Sequence, residues 1–433
     1  MKFIIEPGGT MSGTLRVPGD KSMSHRAIML GALATGTTRA TGFLSGDDAL
    51  ATVAAFRDLG VSITGPDDGV VSIEGVGLHG LSAPANNLDM GNSGTSIRLL
   101  SGILAGQPFS SVLSGDVSLQ QRPMGRIITP LSLMGAMITA ADSGRPPLEI
   151  AGGQKLRGIH YDLPMASAQV KSCVLLAGLF AEGRTSVTEP APTRDHTERM
   201  LRGFGYSVHT ENGVISLEGG GSLRATRLDI PADISSAAFF IVGAVITAGA
   251  DITLEHVGMN PTRVGVINIL RLMGADIEVF NEQEVGGEPV ADLRVRHSAL
   301  RGIEIPVEEV PLAIDEFPVL LIAAACAEGV TTLSGAEELR VKESDRIASM
   351  AEGLTILGIR NEVREDGIVV HGGELGGGSV RTFHDHRIAM SFAIAGLRAK
   401  EPIEILDCDH VATSFPNFAA LAQEAGLGLR IES

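Results

Sequence analysis

Residues 20–36 read DKSMSHRAIMLGALATG, a polar start followed by an Ala-rich apolar stretch that ends in small residues. The apolar residues surround the helix nearly completely, so the stretch predicts a helix that is buried on all sides. The same pattern recurs along the chain. The other copies are GNSGTSIRLLSGILAG (91–106), ASAQVKSCVLLAGLFAEG (166–183), ADISSAAFFIVGAVITAG (232–249), IDEFPVLLIAAACAEG (314–329) and HDHRIAMSFAIAGLRA (384–399).

A second feature recurs with nearly the same period. It is a helix-like segment, a Gly turn and a new strand, as in FRDLGVSI at 56–63. A Gly that ends a helix predicts a left-handed C-cap, since only Gly has no Cβ to oppose positive φ. The turn glycines, about 70–85 residues apart, are Gly60, Gly135, Gly205, Gly274, Gly358 and Gly426. Two independent markers therefore predict six structural repeats.

Each repeat is predicted to be β–α–β–α–β–β, in an α/β fold of two similar domains. The first helix of a repeat is buried, and the second, such as 47–59 or 261–273, is amphipathic and lies outside. LDIPADIS (228–235) opens the fourth repeat as LRVPGDKS (15–22) opens the first. The alternative is a generic α/β protein with accidental similarity between its segments.

Three repeats per domain is the simplest division. The N-terminal repeat domain then spans residues 20–230. The C-terminal repeat domain combines residues 1–19 with 231–433, so the first residues of the chain complete it. The hinge lies near 18–21 and 230–233, where an apolar strand and a Pro stand in both copies.

The composition is that of a folded protein with an acidic surface. Of the 433 residues 44% are apolar, and the net charge of −17 disfavours nucleic acid and anionic membrane as partners. The three cysteines match no metal spacing, and MKFIIEPGGT lacks a signal-peptide pattern. We expect a soluble cytoplasmic protein with reduced thiols. We also expect it to be a monomer.

Chemically informative residues concentrate at the starts of the predicted buried helices. A helix start has unpaired N–H groups and partial positive charge, and it therefore attracts anions. If six such starts face one cleft between the domains, the cleft can hold phosphates and carboxylates despite the net charge. At the first start, Lys21 and Ser22 offer donors and Arg26 a bidentate phosphate partner. An N-cap with solvated basic residues is an equally good interpretation of this segment.

Further anion-binding candidates come from the second and third repeats. GNSGT at 91–95 lets a ligand approach the backbone closely, although a plain turn is an equal alternative. QQRPMGR at 120–126 places two arginines around a Pro helix start, and SAQ at 167–169 offers uncharged donors before Lys171. RDHTE at 194–198 fits a charged helix face, and for its last three residues that interpretation is the better one.

The second half of the chain supplies carboxylates and more arginines. Asp315 stands at the start of an apolar helix, where burial can tune it as a general base, although an N-cap is an equal alternative. RVKESDR at 340–346 is typical of a solvated face, but it shares a repeat with Asp315. HDHR at 384–387 opens the sixth buried helix, so its ionisable groups cannot all be solvated. A metal site there would lack a third ligand.

Together these segments resemble the 5-enolpyruvylshikimate-3-phosphate synthase family of the shikimate pathway. The resemblance covers essentially the whole chain, with motifs in family order from Pro18 to Pro416. The combination of motifs is specific: PGDKSMSHR, GNSGT, QRPMG, SAQVKS, RVKESDR and DHRIAM. GDKS, SAQVK, RDHTE and NPTR (260–263) are similar to the second class of the family, which is known for glyphosate-tolerant members.

The resemblance implies a fold, a reaction and the absence of a cofactor. The family fold is an inside-out α/β barrel of two domains, each with three β–α–β–α–β–β units around buried helices. The reaction transfers the enolpyruvyl group of phosphoenolpyruvate to the 5-hydroxyl of shikimate 3-phosphate and releases phosphate, toward chorismate and aromatic amino acids. No metal or organic cofactor is required, because protonation activates phosphoenolpyruvate.

The resemblance also implies which residues act. Those expected to hold shikimate 3-phosphate are Lys21, Ser22, Arg26, Ser167, Gln169, Arg194, Asp315 and Lys342. Those expected to hold phosphoenolpyruvate are Lys21, Asn92, Gly94, Arg122, Gln169, Arg346 and Arg387. The implied catalytic groups are Asp315, which takes the proton of the 5-hydroxyl, and Glu343, which with Lys21 manages the proton at the methylene carbon.

Two positions depart from the family pattern. Many relatives carry a Lys shortly before the final F-P, and here HVATSFP has Thr413 near that place, which puts one phosphate contact in doubt. Gly94 differs from the Ala of a tolerant relative, so glyphosate tolerance stays open.

Two other functions fit the sequence less well. The sister transferase that acts on UDP-N-acetylglucosamine has a loop Cys that 114–122 lacks. A non-catalytic anion-binding scaffold would not need Asp315 and Glu343 together with the arginines.

Overall fold

The computed structural model describes residues 1–432, which divide into two compact units. Unit N contains Gly19–Ile230 and the short segment Val285–Gly287. Unit C contains Met1–Pro18, Pro231–Glu284 and the chain from Glu288 onward.

Both units are built from helices and short strands that alternate along the chain. The α-helices of residues 1–432 are α1 (Lys21–Leu33), α2 (Asp47–Asp58), α3 (Gly94–Leu104), α4 (Gly125–Leu133), α5 (Ala168–Gly178), α6 (His196–Gly203), α7 (Ile234–Ile246), α8 (Gly265–Leu272), α9 (Phe317–Ala325), α10 (Arg346–Ile356), α11 (His386–Ala395) and α12 (Phe418–Glu424). The strands up to Ile230 are β1 (Lys2–Gly9), β2 (Ser12–Leu15), β3 (Ala34–Thr41), β4 (Ser62–Asp67), β5 (Val70–Val76), β6 (Leu88–Asp89), β7 (Ser111–Ser114), β8 (Ile138–Ala141), β9 (Arg145–Ile150), β10 (His160–Asp162), β11 (Arg184–Thr188), β12 (His209–Glu211), β13 (Val214–Glu218), β14 (Leu223–Arg224) and β15 (Arg227–Asp229). The later strands are β16 (Asp251–Gly258), β17 (Asp276–Val285), β18 (Glu288–Arg296), β19 (Val330–Leu333), β20 (Asn361–Arg364), β21 (Gly367–His371), β22 (Gly378–Arg381), β23 (Ile403–Leu406) and β24 (Leu427–Glu432).

Unit N contains three sheets of one design. Their strand orders are β14–β3–β5–β4 with β15 also on β3, β6–β7–β9–β8, and β10–β11–β13–β12. In each sheet the first pair is parallel, β15 also pairs parallel with β3, and the other pairs are antiparallel. Parallel neighbours need a crossover, and in the second and third sheets that crossover is a buried helix, α3 or α5. The first sheet takes its parallel strands from the end of the unit.

Unit C repeats the design. Its sheets have the orders β17–β18–β16–β2, β19–β21–β20 and β22–β23–β1–β24. Strand β2 is parallel to β16, and β1 lies antiparallel between β23 and β24, so the N-terminal residues belong to two sheets of this unit. In the middle sheet, single parallel bridges from Arg301 and Glu304 replace a parallel strand. The predicted mixed α/β fold of β–α–β–α–β–β repeats is confirmed.

The core of each unit forms around the first helix of each repeat. Every residue of α7 and of α9 is buried, as their continuous apolar sequences predict. The second helix of a repeat, such as α2, buries one face and exposes the other. Two second helices begin later than the sequence suggests. Helix α8 starts at Gly265, because Thr262 N–H and hydroxyl both bind Asn260 Oδ1 in a preceding turn, and α4 starts at Gly125, after Pro123.

The six turn glycines have the predicted conformation. Their φ values lie between 79° and 109°, in the left-handed region that side chains with a Cβ disfavour. Each follows the second helix of a repeat and reverses the chain into the next strand. The regular spacing of these glycines in the sequence therefore reflects a left-handed turn that recurs once in each repeat.

Within residues 1–432 none of the helices combines the length and the apolar character that crossing a bilayer demands.

Replacing Gly358 tests the C-cap directly, because a Cβ at this position would meet no atom within 4 Å. We expect Gly358→Ala to lower the free energy of unfolding by about 1–2 kcal/mol, through the strained positive φ alone. Gly125→Ala is the matched control, since its Cβ is equally unobstructed and its φ is not positive. Urea denaturation should show the control as neutral or stabilised. Equal effects of the two substitutions would refute the C-cap explanation.

Candidate active site

The first buried helix of unit N begins with a capped turn that carries Lys21. Asp20 is the N-cap, and its carboxylate accepts a 2.8 Å hydrogen bond from the backbone N–H of Met23. Lys21 is the first helical residue and forms a short ion pair with Asp48 near the start of α2. The ammonium is mostly buried, so it is held in one place and is not a solvated charge.

Arg26 lies further along α1, where it is buried among hydroxyl groups and a carbonyl. Its guanidinium donates to Thr197 Oγ1 at 2.7 Å, to Ser172 Oγ at 2.8 Å and to the carbonyl of Ser22 at 2.8 Å. Thr197 in turn donates to Ser172 at 2.7 Å. Contacts from α1, α5 and α6 thus fix the plane of this guanidinium, which bidentate recognition of phosphate requires.

The interpretation of residues 196–198 as a charged helix face is wrong. All three side chains are buried at the start of α6. Glu198 pairs with Lys171 at 2.8 Å, and Lys171 also donates to the carbonyl of Thr193 at 3.3 Å, beside Arg194. Burial raises the pKa of Glu198 despite the opposing effect of Lys171. The sequence pattern was misleading because the cation that balances Glu198 is Lys171, which lies on another helix. The spacing of charges within one segment cannot reveal such a partner.

The second buried helix of unit N begins in a loop tied together by polar side chains. Ser93 is the N-cap of α3 and accepts a 3.1 Å hydrogen bond from a backbone N–H of its first turn. Arg122 donates to Asn92 Oδ1 at 2.6 Å, and Asn92 donates to Asp116 at 2.8 Å. Two of the predicted phosphoenolpyruvate ligands, Asn92 and Arg122, are therefore in direct contact.

Gly94 lies beside a further arginine, Arg98, which the sequence analysis did not single out. Arg98 donates to Gln169 Oε1 at 2.6 Å, and Gln169 donates to Thr95 at 3.0 Å, so the starts of α3 and α5 are linked. A Cβ at position 94 would lie 2.9 Å from Arg98 Nη1 and 3.0 Å from Arg122 Nη1. Gly94 thus allows two guanidinium groups to approach the backbone at this helix start.

Ser167 and Arg194 complete the predicted set in unit N. Ser167 is the N-cap of α5, with a 3.4 Å hydrogen bond from the N–H of Val170. Arg194 lies in the turn before α6 and is half-buried.

Arg346 is the centre of the cluster in unit C, and only 1% of its side chain is exposed. It contacts Asp385 at 2.8 Å, Glu343 at 2.6 Å and Asp315 at 3.1 Å. Burial alone lowers the pKa of this guanidinium, but the three carboxylates outweigh burial and raise the pKa above its ordinary value. The solvated-face interpretation of 340–346 is therefore wrong for Arg346.

Asp315 lies between the cations of this cluster. Lys342 Nζ is 3.6 Å from its carboxylate, and Arg387 Nη1 donates to its backbone carbonyl at 3.0 Å. The N-cap alternative for Asp315 is wrong, because Glu316 occupies the N-cap of α9. Four of the predicted site residues, Asp315, Lys342, Glu343 and Arg387, thus surround or adjoin Arg346.

A second buried network supports Arg387, and the sequence analysis missed it. Glu316 Oε1 lies 3.9 Å from Arg387 and 3.7 Å from Arg263, and it accepts a short hydrogen bond from Ser235. Arg263 also pairs with Asp233, the N-cap of α7, at 3.2 Å. The NPTR motif was noted only as a class signature. Its arginine is the signal that could have found this network.

Thr413 shortly precedes Phe415 and Pro416, near the place where the resemblance implies a Lys. It is buried, and its hydroxyl donates to the carbonyl of His410 at 2.7 Å. The hydroxyl is thus used within the chain and does not supply the contact that a Lys ammonium would make.

The side chains brought together within each unit offer two kinds of chemistry. Unit N presents Lys21, Arg26 and Arg122 with hydroxyl and amide groups, a set suited to phosphate and carboxylate. Unit C adds the carboxylates of Asp315 and Glu343, which can transfer protons. Within residues 1–432, His, Cys, Asp and Glu side chains form no group of three or more that could hold a metal ion.

The fold of this chain also occurs in a solved enolpyruvyl transferase. The structure of the enolpyruvyl transferase NikO from Streptomyces tendae matches with a TM-score of 0.79 over 99% of this chain and 98% of that one, at 18% identity. At that identity the match shows the fold alone.

Sequence comparison then gives the family. Residues 5–421 match the family EPSP synthase (3-phosphoshikimate 1-carboxyvinyltransferase). The 3-phosphoshikimate 1-carboxyvinyltransferases of Alkalilimnicola ehrlichii and Methylococcus capsulatus are 65% and 63% identical over 99% of this chain, and 96% and 98% of their own lengths are covered. The EPSP synthase structure from Acinetobacter baumannii matches with a TM-score of 0.90 at 60% identity, over 100% of both chains. The chain belongs to the EPSP synthase family.

Removing one carboxylate from Arg346 should destabilise unit C. Asp385→Asn keeps an acceptor at the N-cap of α11 but removes a buried negative charge, so we expect the free energy of unfolding to fall by about 3 kcal/mol. Asp345→Asn is the control, because it alters the same type of N-cap on α10 next to the more exposed Arg340. We expect the control to cost less than about 1 kcal/mol in urea denaturation. Similar losses in both variants would contradict the importance of burial.

Proposed function

We propose that this chain transfers the enolpyruvyl group of phosphoenolpyruvate to the 5-hydroxyl of shikimate 3-phosphate and releases phosphate. The observation that carries the proposal is the cluster of Asp315, Lys342, Glu343 and Arg387 around Arg346, which combines two carboxylates with three cations. Membership of the EPSP synthase family supports it over the whole chain.

The proposed substrate contacts are those that the family resemblance implies. For shikimate 3-phosphate they are Lys21, Ser22, Arg26, Ser167, Gln169, Arg194, Asp315 and Lys342. For phosphoenolpyruvate they are Lys21, Asn92, Gly94, Arg122, Gln169, Arg346 and Arg387. The fixed guanidinium plane of Arg26, the Arg122–Asn92 hydrogen bond and the close approach of two guanidinium groups to the backbone at Gly94 support these assignments.

The proposed mechanism needs two proton-transfer groups. Asp315 removes the proton of the 5-hydroxyl as its oxygen attacks C2 of phosphoenolpyruvate, and C3 gains a proton to give a tetrahedral intermediate. Glu343, with Lys21, supplies that proton and later removes one from C3 as the C2–O bond breaks and phosphate leaves. Cations beside both carboxylates fix their positions, and the arginines balance the charge of the departing phosphate.

The proposal extends to the state and location of the protein. We propose a cytoplasmic monomer whose thiols are reduced. The three cysteines are free, and burial raises the pKa of each thiol to about 12, so they are poor nucleophiles. Light scattering at the assay concentration tests the monomer.

Phosphate release tests the activity directly. Purified protein with phosphoenolpyruvate and shikimate 3-phosphate should release inorganic phosphate and form a product with a new enol ether. UDP-N-acetylglucosamine as acceptor should give no release above background. Phosphate release from phosphoenolpyruvate with the UDP-sugar as acceptor, but not with shikimate 3-phosphate, would assign the activity of the sister transferase instead.

Neutralising either proposed proton-transfer group separates an enzyme from an anion-binding scaffold. We expect Asp315→Asn and Glu343→Gln each to lower kcat about 10²–10⁴-fold, because each substitution removes a proton acceptor but keeps the size of the side chain. Substrate binding, measured by calorimetry, should persist. Glu362→Gln is the control for charge, since this exposed residue lies outside the cluster. Undiminished turnover in both variants would end the role assignment.

A further inference from the structure

Four buried polar side chains form a chain of hydrogen bonds inside unit N. His25 Nδ1 lies 2.7 Å from Thr52 Oγ1, which lies 2.6 Å from Ser96 Oγ, which lies 2.7 Å from Ser93 Oγ. All four residues have no exposed surface. Buried polar groups are costly unless they are paired. A series of four such groups, each bonded to the next within a mostly apolar core, therefore indicates a specific role.

The chain joins the helix starts that carry the proposed phosphoenolpyruvate ligands. His25 is four residues after Lys21 on α1, and Thr52 is four residues after Asp48 on α2, so each pair shares one helix face. The two helices therefore meet twice, through the Lys21–Asp48 ion pair and through the His25–Thr52 hydrogen bond. The far end of the chain is Ser93, the N-cap of α3, between Asn92 and Gly94.

The direction in which these hydrogen bonds are donated follows from the protonation state of His25. Burial, and then the charges of Lys21 and Arg26, lower the pKa of His25 well below its ordinary value, so the ring is neutral. Nε2 has no hydrogen-bond partner among residues 1–432. A proton on Nε2 would be a buried donor without an acceptor, whereas a proton on Nδ1 leaves only a lone pair unused, which proteins tolerate better.

With the proton on Nδ1, every donor in the chain points the same way. His25 donates to Thr52 at 2.7 Å in preference to Ser96 Oγ, which is 3.3 Å from the same nitrogen. Thr52 donates to Ser96 in preference to the backbone carbonyl of Asp48, which is 3.4 Å away. Ser96 then donates to Ser93, which also accepts the 3.1 Å hydrogen bond from the Ser96 N–H. Ser93 is thus a double acceptor, and its oxygen is fixed at the start of α3.

We propose that His25, Thr52 and Ser96 are positioning residues that hold the Asn92–Gly94 loop in register with Lys21 and so determine the affinity for phosphoenolpyruvate. This inference rests on the proposed function, which places phosphoenolpyruvate at the start of α3. None of the three side chains is required to touch the substrate. A purely structural network would lower stability and affect both substrates alike.

Kinetics of matched variants distinguish the two roles. Thr52→Val and Ser96→Ala each break the chain, and we expect each to raise KM for phosphoenolpyruvate roughly fivefold while KM for shikimate 3-phosphate stays nearly constant. Thr52→Ser keeps the hydroxyl and should restore the KM. Ser101→Ala is the control on the same helix, because Ser101 is equally buried and donates only to the carbonyl of Ile97, at 2.7 Å. Equal rises of both KM values, or no difference from Ser101→Ala, would overturn the proposal.

The tautomer gives a readout that does not depend on activity. In protein labelled with ¹⁵N-histidine, and with His25→Asn to assign the resonance, we expect a neutral ring with its proton on Nδ1 between pH 6 and 8. A proton on Nε2 would refute the direction of the chain.

A variant at the start of α3 separates this inference from the proposed function. Arg122→Gln should raise KM for phosphoenolpyruvate if that substrate binds there. An unchanged KM would reject the placement of phosphoenolpyruvate and the positioning role with it. A raised KM in Arg122→Gln with unaffected Thr52→Val and Ser96→Ala would reject the positioning role alone.

Discussion

A helix whose sides are buried needs protein acceptors for those N–H groups at its start that water does not reach. Side-chain acceptors do this at the starts of five first helices of the repeats. They are Asp20, Ser93, Ser167, Asp233 and Asp385. Folding therefore places polar groups at these helix starts. Each side-chain cap accepts a hydrogen bond from one N–H group, and the N–H groups that remain, together with the helix dipole, favour anions at the same places. The constraint that builds the core thus also produces helix starts that suit anions.

The buried charges obey a similar constraint. An isolated guanidinium in the interior would be costly, so Arg346 is found with three carboxylates and Arg26 with hydroxyls and a carbonyl. Three carboxylates neutralise Arg346 and hold it rigidly, whereas hydroxyl groups and a carbonyl fix the plane of the Arg26 guanidinium.

The repeats, the buried helices and the C-cap glycines could be predicted because each is encoded within a few neighbouring residues. The site could be predicted only in part. The sequence identifies Asp315 and Arg346 as candidates, but it does not show that Arg98 meets Gln169, that Thr197 holds Arg26, or that Glu198 is buried against Lys171. Such contacts join different helices, and a single sequence contains no local signal for them. The solvated-face interpretation failed for the same reason, since charge density predicts exposure only where no partner is available.

Both units keep an Asp as the N-cap of their first helix, but the ion pair with the second helix uses Lys21 in unit N and Asp233 in unit C. In unit N the cation, Lys21, belongs to the first helix and the carboxylate, Asp48, to the second. In unit C the carboxylate is Asp233, the N-cap of the first helix, and the cation is Arg263, just before the second. The exchange has a chemical consequence. The Asp48 carboxylate fixes the position of the Lys21 ammonium, whereas Arg263, by engaging Glu316 as well as Asp233, steadies the residue next to Asp315.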